Sequence, residues 1–255
     1  MKIKESKRNV LFLVLGAFFI ANAIIAEFIG VKIFSLEQTL GFDPFNLKLW
    51  GGEYSFNMTA GVLLWPVVFI MTDIINEYFG KHGVRLFSYI AAALIAYSFL
   101  MVYMAIQLTP ADFWKIKETA EGPLPMQNAY TQIFGQGLWI IIGSLVAFLF
   151  GQMIDVYVFH YLKMKTGEKS LWLRATGSTL VSQFIDSFVV LFIAFYIGAD
   201  WSLSLVLAIG VVNYIYKFTV ALLLTPLLYL LHQAIDAYLG KELAQQMTAE
   251  AAQDW

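Results

Sequence analysis

The chain has 255 residues, of which 60% are hydrophobic and only 13% are charged, so most of its surface must face lipid. Its formal net charge of -2, with no basic stripe to neutralise phosphates, argues against binding to nucleic acid. It has no cysteine, which excludes disulfide bonds, thiolate metal sites and cysteine nucleophiles.

Six apolar runs are long enough to cross a bilayer, because a helix bridges a hydrocarbon core of about 30 Å with about 20 residues. They extend over Val10 to Phe34, Thr59 to Phe79, Val84 to Leu108, Ile133 to Tyr161, Leu171 to Ile197 and Leu203 to Gln233. The few remaining residues leave no room for an extramembrane domain. The sequence therefore predicts an all-α polytopic membrane protein, with one six-helix domain over 1–240 and a short cytoplasmic tail over 241–255.

Basic residues are concentrated in alternate loops, which predicts the orientation because cytoplasmic loops retain lysine and arginine. The basic positions are Lys2, Lys4, Lys7 and Arg8 at the start, Lys81 and Arg85 in the second loop, Lys163, Lys165, Lys169 and Arg174 around the fourth, and Lys241 in the tail. The first and third loops mix three lysines with acidic residues. Both termini are predicted to be cytoplasmic.

The three histidines do not predict a metal site. His82, His160 and His232 lie near the ends of predicted spans, where we expect a solvated or headgroup-facing imidazole. The sequence predicts no cofactor and no metal.

The predicted spans carry many polar and ionisable side chains, although an ionised group near the bilayer centre costs several kcal/mol or more. Many are spaced three or four residues apart, so they share a helix face. On the fifth span Arg174, Ser178, Ser182 and Asp186 form one such row. The candidate substrate-binding residues are Asn22, Asp73, Glu77, Gln152, Asp155, Arg174, Ser178, Gln183, Asp186, Asn213 and Lys217.

The alternative for these residues is interhelical hydrogen bonding, with Arg174 and Glu77 snorkelling to the cytoplasmic boundary. So many ionisable groups favour a functional cleft, because apolar residues usually serve stability as well. Two prolines have a similar ambiguity. Pro66 and Pro226 either kink their helices or open backbone groups towards a cavity.

Common enzyme motifs are absent from the sequence. It has no phosphate-binding glycine loop, no HExxH helix and no GxSxG elbow, so we expect a protein that is not an enzyme. An intramembrane aspartyl hydrolase using two of Asp73, Asp155 and Asp186 is the catalytic alternative. Asp73 and Asp155 also belong to a weak echo at an offset of 82 residues, which coincidence explains equally well.

The stretch from Gly61 to Lys81, GVLLWPVVFIMTDIINEYFGK, resembles a signature of the queuosine precursor transporter family. The segments Gly151 to Phe159 and Leu171 to Asp186 are similar to the fourth and fifth spans of that family, and Asn22 and Lys32 occur where its first span has similar residues. The resemblance covers most of the chain.

This resemblance implies a transporter of the bacterial inner membrane that imports 7-cyano-7-deazaguanine or 7-aminomethyl-7-deazaguanine. A guanine-like edge would suit a carboxylate of Asp73, Asp155 or Asp186, and Glu77 would suit a cationic aminomethyl group. Titration of Asp73 or Asp155 would allow proton coupling. The alternative is a substrate-binding membrane subunit of a multi-component importer, and a homo-oligomer is a further option.

Overall fold

The computed structural model describes residues 2–166 and 170–253; Lys169 therefore lies outside the described residues. Its helices are α1 (Lys2–Ile29), α2 (Leu36–Thr39), α3 (Trp65–Ile106), α4 (Met126–Phe134), α5 (Leu138–Thr166), α6 (Leu171–Leu191), α7 (Leu203–Leu239) and α8 (Lys241–Gln253). A π-helical segment, Phe192–Ile197, extends α6, and 3-10 turns cover Ala60–Leu63 and Asp112–Trp114. The predicted all-α class is confirmed.

Five helical segments among the described residues are long and apolar enough to cross a membrane. They are Lys4–Ile29, Trp65–Ile106, Met126–Thr166, Trp172–Ile197 and Leu203–Leu239. The second and third predicted spans are continuous in α3, although the second begins six residues before that helix. The fourth predicted span begins at the end of α4 and ends within α5.

Helix α3 is interrupted at Gly80, whose φ of 67° and ψ of -172° are not helical. A straight helix of its 42 residues would be about 63 Å long, twice the thickness of a hydrocarbon core. Only glycine adopts this backbone conformation readily, because it has no Cβ. Pro66 lies in the first turn of α3, where its missing N–H is not needed, whereas Pro226 lies inside α7.

Among the described residues, three short antiparallel strand pairs occupy the first and third loops, and two of them are hairpins. β1 (Ile33–Ser35) pairs with β4 (Asn57–Thr59), β2 (Leu47–Leu49) with β3 (Gly52–Tyr54), and β5 (Ile116–Thr119) with β6 (Gly122–Pro125). Glu37 is buried beneath the first pair and accepts a hydrogen bond from the Phe56 N–H at 2.8 Å. It therefore ties the two arms of the first loop together.

Helix α8 packs on the bundle and buries Leu243, Ala244, Met247 and Ala251 against the core. Exposed ion pairs join it to α1, with Lys4 Nζ and Glu242 Oε2 at 2.9 Å and Arg8 Nη1 and Glu250 Oε2 at 2.9 Å. The start of α1 and helix α8 therefore lie at the same end of the bundle, which we call the terminal end.

The expectation of solvated histidines is wrong for two of them. His160 is 7% exposed and His232 is 8% exposed. His232 Nδ1 lies 3.0 Å from the hydroxyl of the buried Tyr78, and the two rings stack with centroids 5.2 Å apart. Burial is compatible with a polar ring when such a partner is present, and the partner is 154 positions away in the chain.

Candidate functional site: a buried polar cluster among four helices

Asp73 projects from α3 towards α6 and is only 3% exposed. The Ser178 hydroxyl donates to its Oδ1 at 3.4 Å, and the Thr179 hydroxyl donates to its Oδ2 at 3.3 Å. Ser178 also lies 3.0 Å from the Ala175 carbonyl of its own helix, so one proton serves two acceptors. The carboxyl of Asp73 is therefore held by weak hydroxyl contacts.

Glu77 lies one turn beyond Asp73 and makes ion pairs with two helices. Arg174 Nη2 on α6 is 2.7 Å from Glu77 Oε1, and Lys163 Nζ on α5 is 3.2 Å from Oε2. Glu77 is 4% exposed and Arg174 is 3% exposed. Such burial excludes the alternative in which both residues snorkel to solvent.

Asp155 on α5 is fully buried and contacts the opposite side of α6. The Ser182 hydroxyl donates to Asp155 Oδ1 at 3.0 Å and also lies 3.1 Å from the Thr179 carbonyl. Within the described part of the chain, Asp155 Oδ2 is buried without a hydrogen-bond partner. This carboxyl is thus incompletely satisfied.

Two glutamines extend the cluster. The Thr72 hydroxyl donates to Gln152 Oε1 at 2.8 Å, which joins α3 to α5. Gln183 on α6 is 2% exposed, and its Oε1 is buried with no hydrogen-bond partner among the described residues. Amides that are buried but not satisfied provide groups for a ligand or a water molecule.

The buried Lys217 on α7 forms an ion pair with the half-buried Asp186 on α6, with Nζ and Oδ2 2.5 Å apart. It adds the fourth helix to the cluster. Two amides of the predicted set, Asn22 and Asn213, are not part of the cluster. Asn22 donates to the Phe18 carbonyl of its own helix at 2.8 Å, and the half-buried Asn213 does not line the cavity described next.

A cavity of about 20 Å³ lies among α3, α6 and α7, next to Asp73. It is lined by Pro66, Ile70, Asp73, Ala175, Thr176, Thr179, Gln183, Lys217, Ala221, Leu224, Thr225 and Leu228. This volume accommodates about one water molecule. A two-ring base requires the helices around the cavity to separate.

Three threonines of this cavity are absent from the predicted set. Thr176 and Thr179 line it from α6, and the Thr176 hydroxyl lies 3.1 Å from that of Thr225 on α7. The signal was present, because Thr176, Thr179 and Gln183 follow one another at helical spacing. This spacing alone does not distinguish the threonines, because a threonine hydroxyl can bond to its own helix and is therefore ordinary in a span.

The charges of the cluster divide its carboxyls into two kinds. Glu77 and Asp186 each have a cationic partner, whereas Asp73 and Asp155 are contacted by hydroxyl groups. No group of three histidine, aspartate or glutamate residues within the described ranges could hold a metal ion. The arrangement suits recognition of a polar, uncharged or cationic solute, and it provides carboxyls that can accept a proton.

Comparisons with known proteins give the family. Residues 59–231 match the model of the family described as "Putative vitamin uptake transporter". The "Probable queuosine precursor transporter" of Bacillus subtilis is 31% identical over 180 residues, which is 69% of this chain and 72% of the relative. The Haemophilus influenzae protein of the same name is 26% identical over 68% of this chain and 67% of the relative. The "Queuosine precursor transporter" of Escherichia coli is 27% identical over 66% of this chain and 69% of the relative.

No solved structure matches the chain. The family match nevertheless covers the part of α3 with Asp73 and Glu77, all of α5 and α6, and most of α7. The apolar helices and the bacterial relatives agree on a multi-pass protein of the inner membrane. The chain belongs to the queuosine precursor transporter family, and its role is transport.

Proposed function

We propose that this protein imports a queuosine precursor, 7-cyano-7-deazaguanine or 7-aminomethyl-7-deazaguanine, into the cytoplasm. The names of its three relatives support this substrate class. The observation that carries the proposal is the cavity in which Asp73, Gln183 and Lys217 meet beside apolar side chains. Ligand sites of this kind combine an apolar lining with a few convergent polar groups.

The chemistry of the base fits these three side chains. One carboxylate can accept both the ring N–H and the exocyclic amine of a guanine-like edge, and Asp73 is the carboxyl that lines the cavity. Gln183 and Lys217 provide donors for the carbonyl oxygen and ring nitrogens of the base. Six other candidates belong to the cluster around this centre, whereas Asn22 and Asn213 lie outside it. The six are Glu77, Gln152, Asp155, Arg174, Ser178 and Asp186.

Glu77 is poorly placed to bind the cationic group of the aminomethyl precursor, because Arg174 and Lys163 already neutralise it. Within the described ranges, the side-chain hydrogen-bond partners of Asp73 are the hydroxyls of Ser178 and Thr179, with no cation among them. We therefore assign recognition of either precursor to Asp73 first.

Six transmembrane helices with both termini in the cytoplasm make up the proposed topology, with 1–240 as one membrane domain and 241–255 as its cytoplasmic tail. The interruption at Gly80 divides α3 into segments 65–79 and 81–106, about 22 and 39 Å long, which supports counting it as two spans when the turn Ala60–Leu63 is added to the first. The ion pairs from α1 to α8 support termini on one side. The distribution of lysine and arginine supports the cytoplasmic side.

Import is proposed to be coupled to protons through Asp155. This carboxyl is fully buried and does not line the cavity, and no cation is among its hydrogen-bond partners in the described part of the chain. A proton on it would therefore not compete with the substrate for space. Ser182 joins it to the helix that carries Gln183 and the Asp73 contacts. A change of charge at Asp155 would therefore be felt by α6, which forms one wall of the cavity.

Uptake of labelled 7-cyano-7-deazaguanine into proteoliposomes that contain only this chain tests the proposal. Accumulation that depends on an imposed proton gradient is the expected result. Equilibration that ignores the gradient would remove the proton from the mechanism. Binding without uptake would instead indicate a membrane subunit that needs partner chains. If the protein neither binds nor transports 7-cyano-7-deazaguanine, the proposed substrate is wrong.

A further inference from the structure

Helices α3 and α6 make two side-chain contacts one helical turn apart, which we call the first and second rungs. Asp73 faces Ser178, and one turn further along both antiparallel helices Glu77 faces Arg174. The first rung lies at the cavity and the second lies towards the terminal end, where Lys163 also reaches Glu77. We propose that Glu77, Arg174 and Lys163 form the closure of the translocation pathway on its cytoplasmic side.

The proposal rests on the proposed import function and on the cytoplasmic position of the terminal end. If the terminal end faces the cytoplasm, Glu77, Arg174 and Lys163 separate the cavity from the cytoplasm. Arg174 directly precedes Ala175 and Thr176, which line the cavity, and no residue of the closure lines the cavity itself. A solute that leaves Asp73 towards the cytoplasm must therefore pass the ion pairs.

Burial makes this closure strong but reversible. The side chains of Glu77, Arg174 and Lys163 are 6%, 3% and 10% exposed, so their attraction is little screened by water. Each ion gains from its partners only while they are in contact, since removing one partner leaves an uncompensated charge. When the helices separate and water enters, hydration replaces the ion pairs, so the open state is accessible as well.

A second contact at the same level includes the fourth helix. Tyr78 follows Glu77, and its hydroxyl donates to Asp236 Oδ1 on α7 at 2.7 Å. The Arg174 guanidinium also lies 5.8 Å from the ring centroid of Phe159 on α5. One layer of residues thus joins α3 to α5, α6 and α7, which is the arrangement that a closed end of a four-helix pathway requires.

The chain has no cysteine, so a single introduced thiol can report access to the cavity. Thr176→Cys places that thiol in the cavity lining. The experiment measures its reaction with a membrane-impermeant maleimide added from the face that carries the termini, in vesicles of known orientation. Arg174→Met in this background removes the stronger contact and leaves Glu77 paired with Lys163.

We expect Arg174→Met to raise the labelling rate from the terminal face by about tenfold or more, with the rate from the opposite face unchanged or lower. Arg8→Met, which removes an exposed ion pair at the same end, is the matched control and should leave both rates unchanged. If Arg174→Met does not fold, Lys163→Met gives the same test with the Arg174 contact retained. Equal rates in a folded closure variant and its parent would overturn the proposal.

This outcome is separate from that of the import proposal. Thiol access requires no substrate, so the closure can be confirmed even if 7-cyano-7-deazaguanine is not transported. Conversely, uptake by the wild-type chain with unchanged access in both closure variants would retain the substrate and reject the closure.

Discussion

Asp73 and Asp155 lie on different helices, yet each accepts a hydrogen bond from the same helix, α6. Ser178 and Thr179 donate to Asp73, and Ser182, one turn from Ser178, donates to Asp155. Helix α6 therefore connects the carboxyl that lines the cavity to the carboxyl that does not. Separate roles for the two can be tested by separate substitutions.

Asp155→Asn should abolish accumulation driven by a proton gradient while preserving exchange of substrate across the membrane. Exchange needs no net movement of protons, and Asp155 does not line the cavity. Asp73→Asn should abolish both, because the substitution replaces one acceptor oxygen by an NH2 donor, which cannot pair with the second N–H of the base. Measurement of both activities in proteoliposomes decides this, with Asp43→Asn in the exposed first loop as control. Gradient dependence that survives in Asp155→Asn would contradict the assignment.

Lys217→Met should lower the free energy of unfolding by about 3–5 kcal/mol, because it leaves the Asp186 carboxylate, whose side chain is only 13% exposed, without its cation. The double variant Asp186→Leu, Lys217→Met should recover most of this loss. Substrate uptake should remain lost in both, since Lys217 also lines the cavity. Thermal or denaturant unfolding in detergent measures the first effect and uptake the second. Equal stability of Lys217→Met and the wild type would show that the ion pair contributes nothing.

Gly80→Ala should destabilise the protein by about 1–3 kcal/mol, since the φ of 67° and ψ of -172° at this position suit glycine alone. Gly137→Ala is the matched control. Gly137 has an ordinary φ, and an added Cβ would approach only Ile140 at 3.9 Å. Thermal unfolding of the two variants compares the cost of the conformation with the cost of a methyl group. Similar melting temperatures for both would argue against the interruption of α3.

Glu37 should make the first loop sensitive to acid. Burial tends to raise the pKa of its carboxyl, but hydrogen bonds, chiefly from the Phe56 N–H, bring the pKa below its ordinary value of 4.5. A lowered pKa in the folded state stabilises the protein above the ordinary pKa, and this stabilisation is lost as the pH falls through the folded value. At pH 7 the free energy of unfolding of Glu37→Gln should therefore be about 1–2 kcal/mol lower than that of the wild type, which a lower melting temperature would report. The difference should shrink below pH 4.5, and a constant difference from pH 7 to pH 3 would refute this role.

The helices and their inward faces could be predicted from the sequence because both depend on local patterns. Of the predicted row, Arg174, Ser178 and Ser182 are buried as the i,i+4 spacing predicts, and Asp186 at its end is half-buried. Its partners could not be predicted in the same way. Glu77 and Arg174 are 97 positions apart, and only the packing of α3 on α6 brings them together.

The packing of helix α8 could not be predicted from its local sequence. Its polar composition predicts a solvated tail, yet four small or apolar side chains on one face pack on the bundle. The continuity of the second and third predicted spans in α3 could not be predicted either. Gly80 is one glycine among 18, and nothing local distinguishes it from a turn between two separate helices.

The size of the cavity beside Asp73 has a kinetic consequence. A space of about 20 Å³ cannot receive a base on collision, so association must wait for the helices to separate. The observed rate of binding should then stop rising at high ligand concentration, at a plateau equal to the opening rate. At high ligand concentration, the rate of binding to this conformation is therefore limited by the opening rate of the protein and not by the frequency of collision with the substrate.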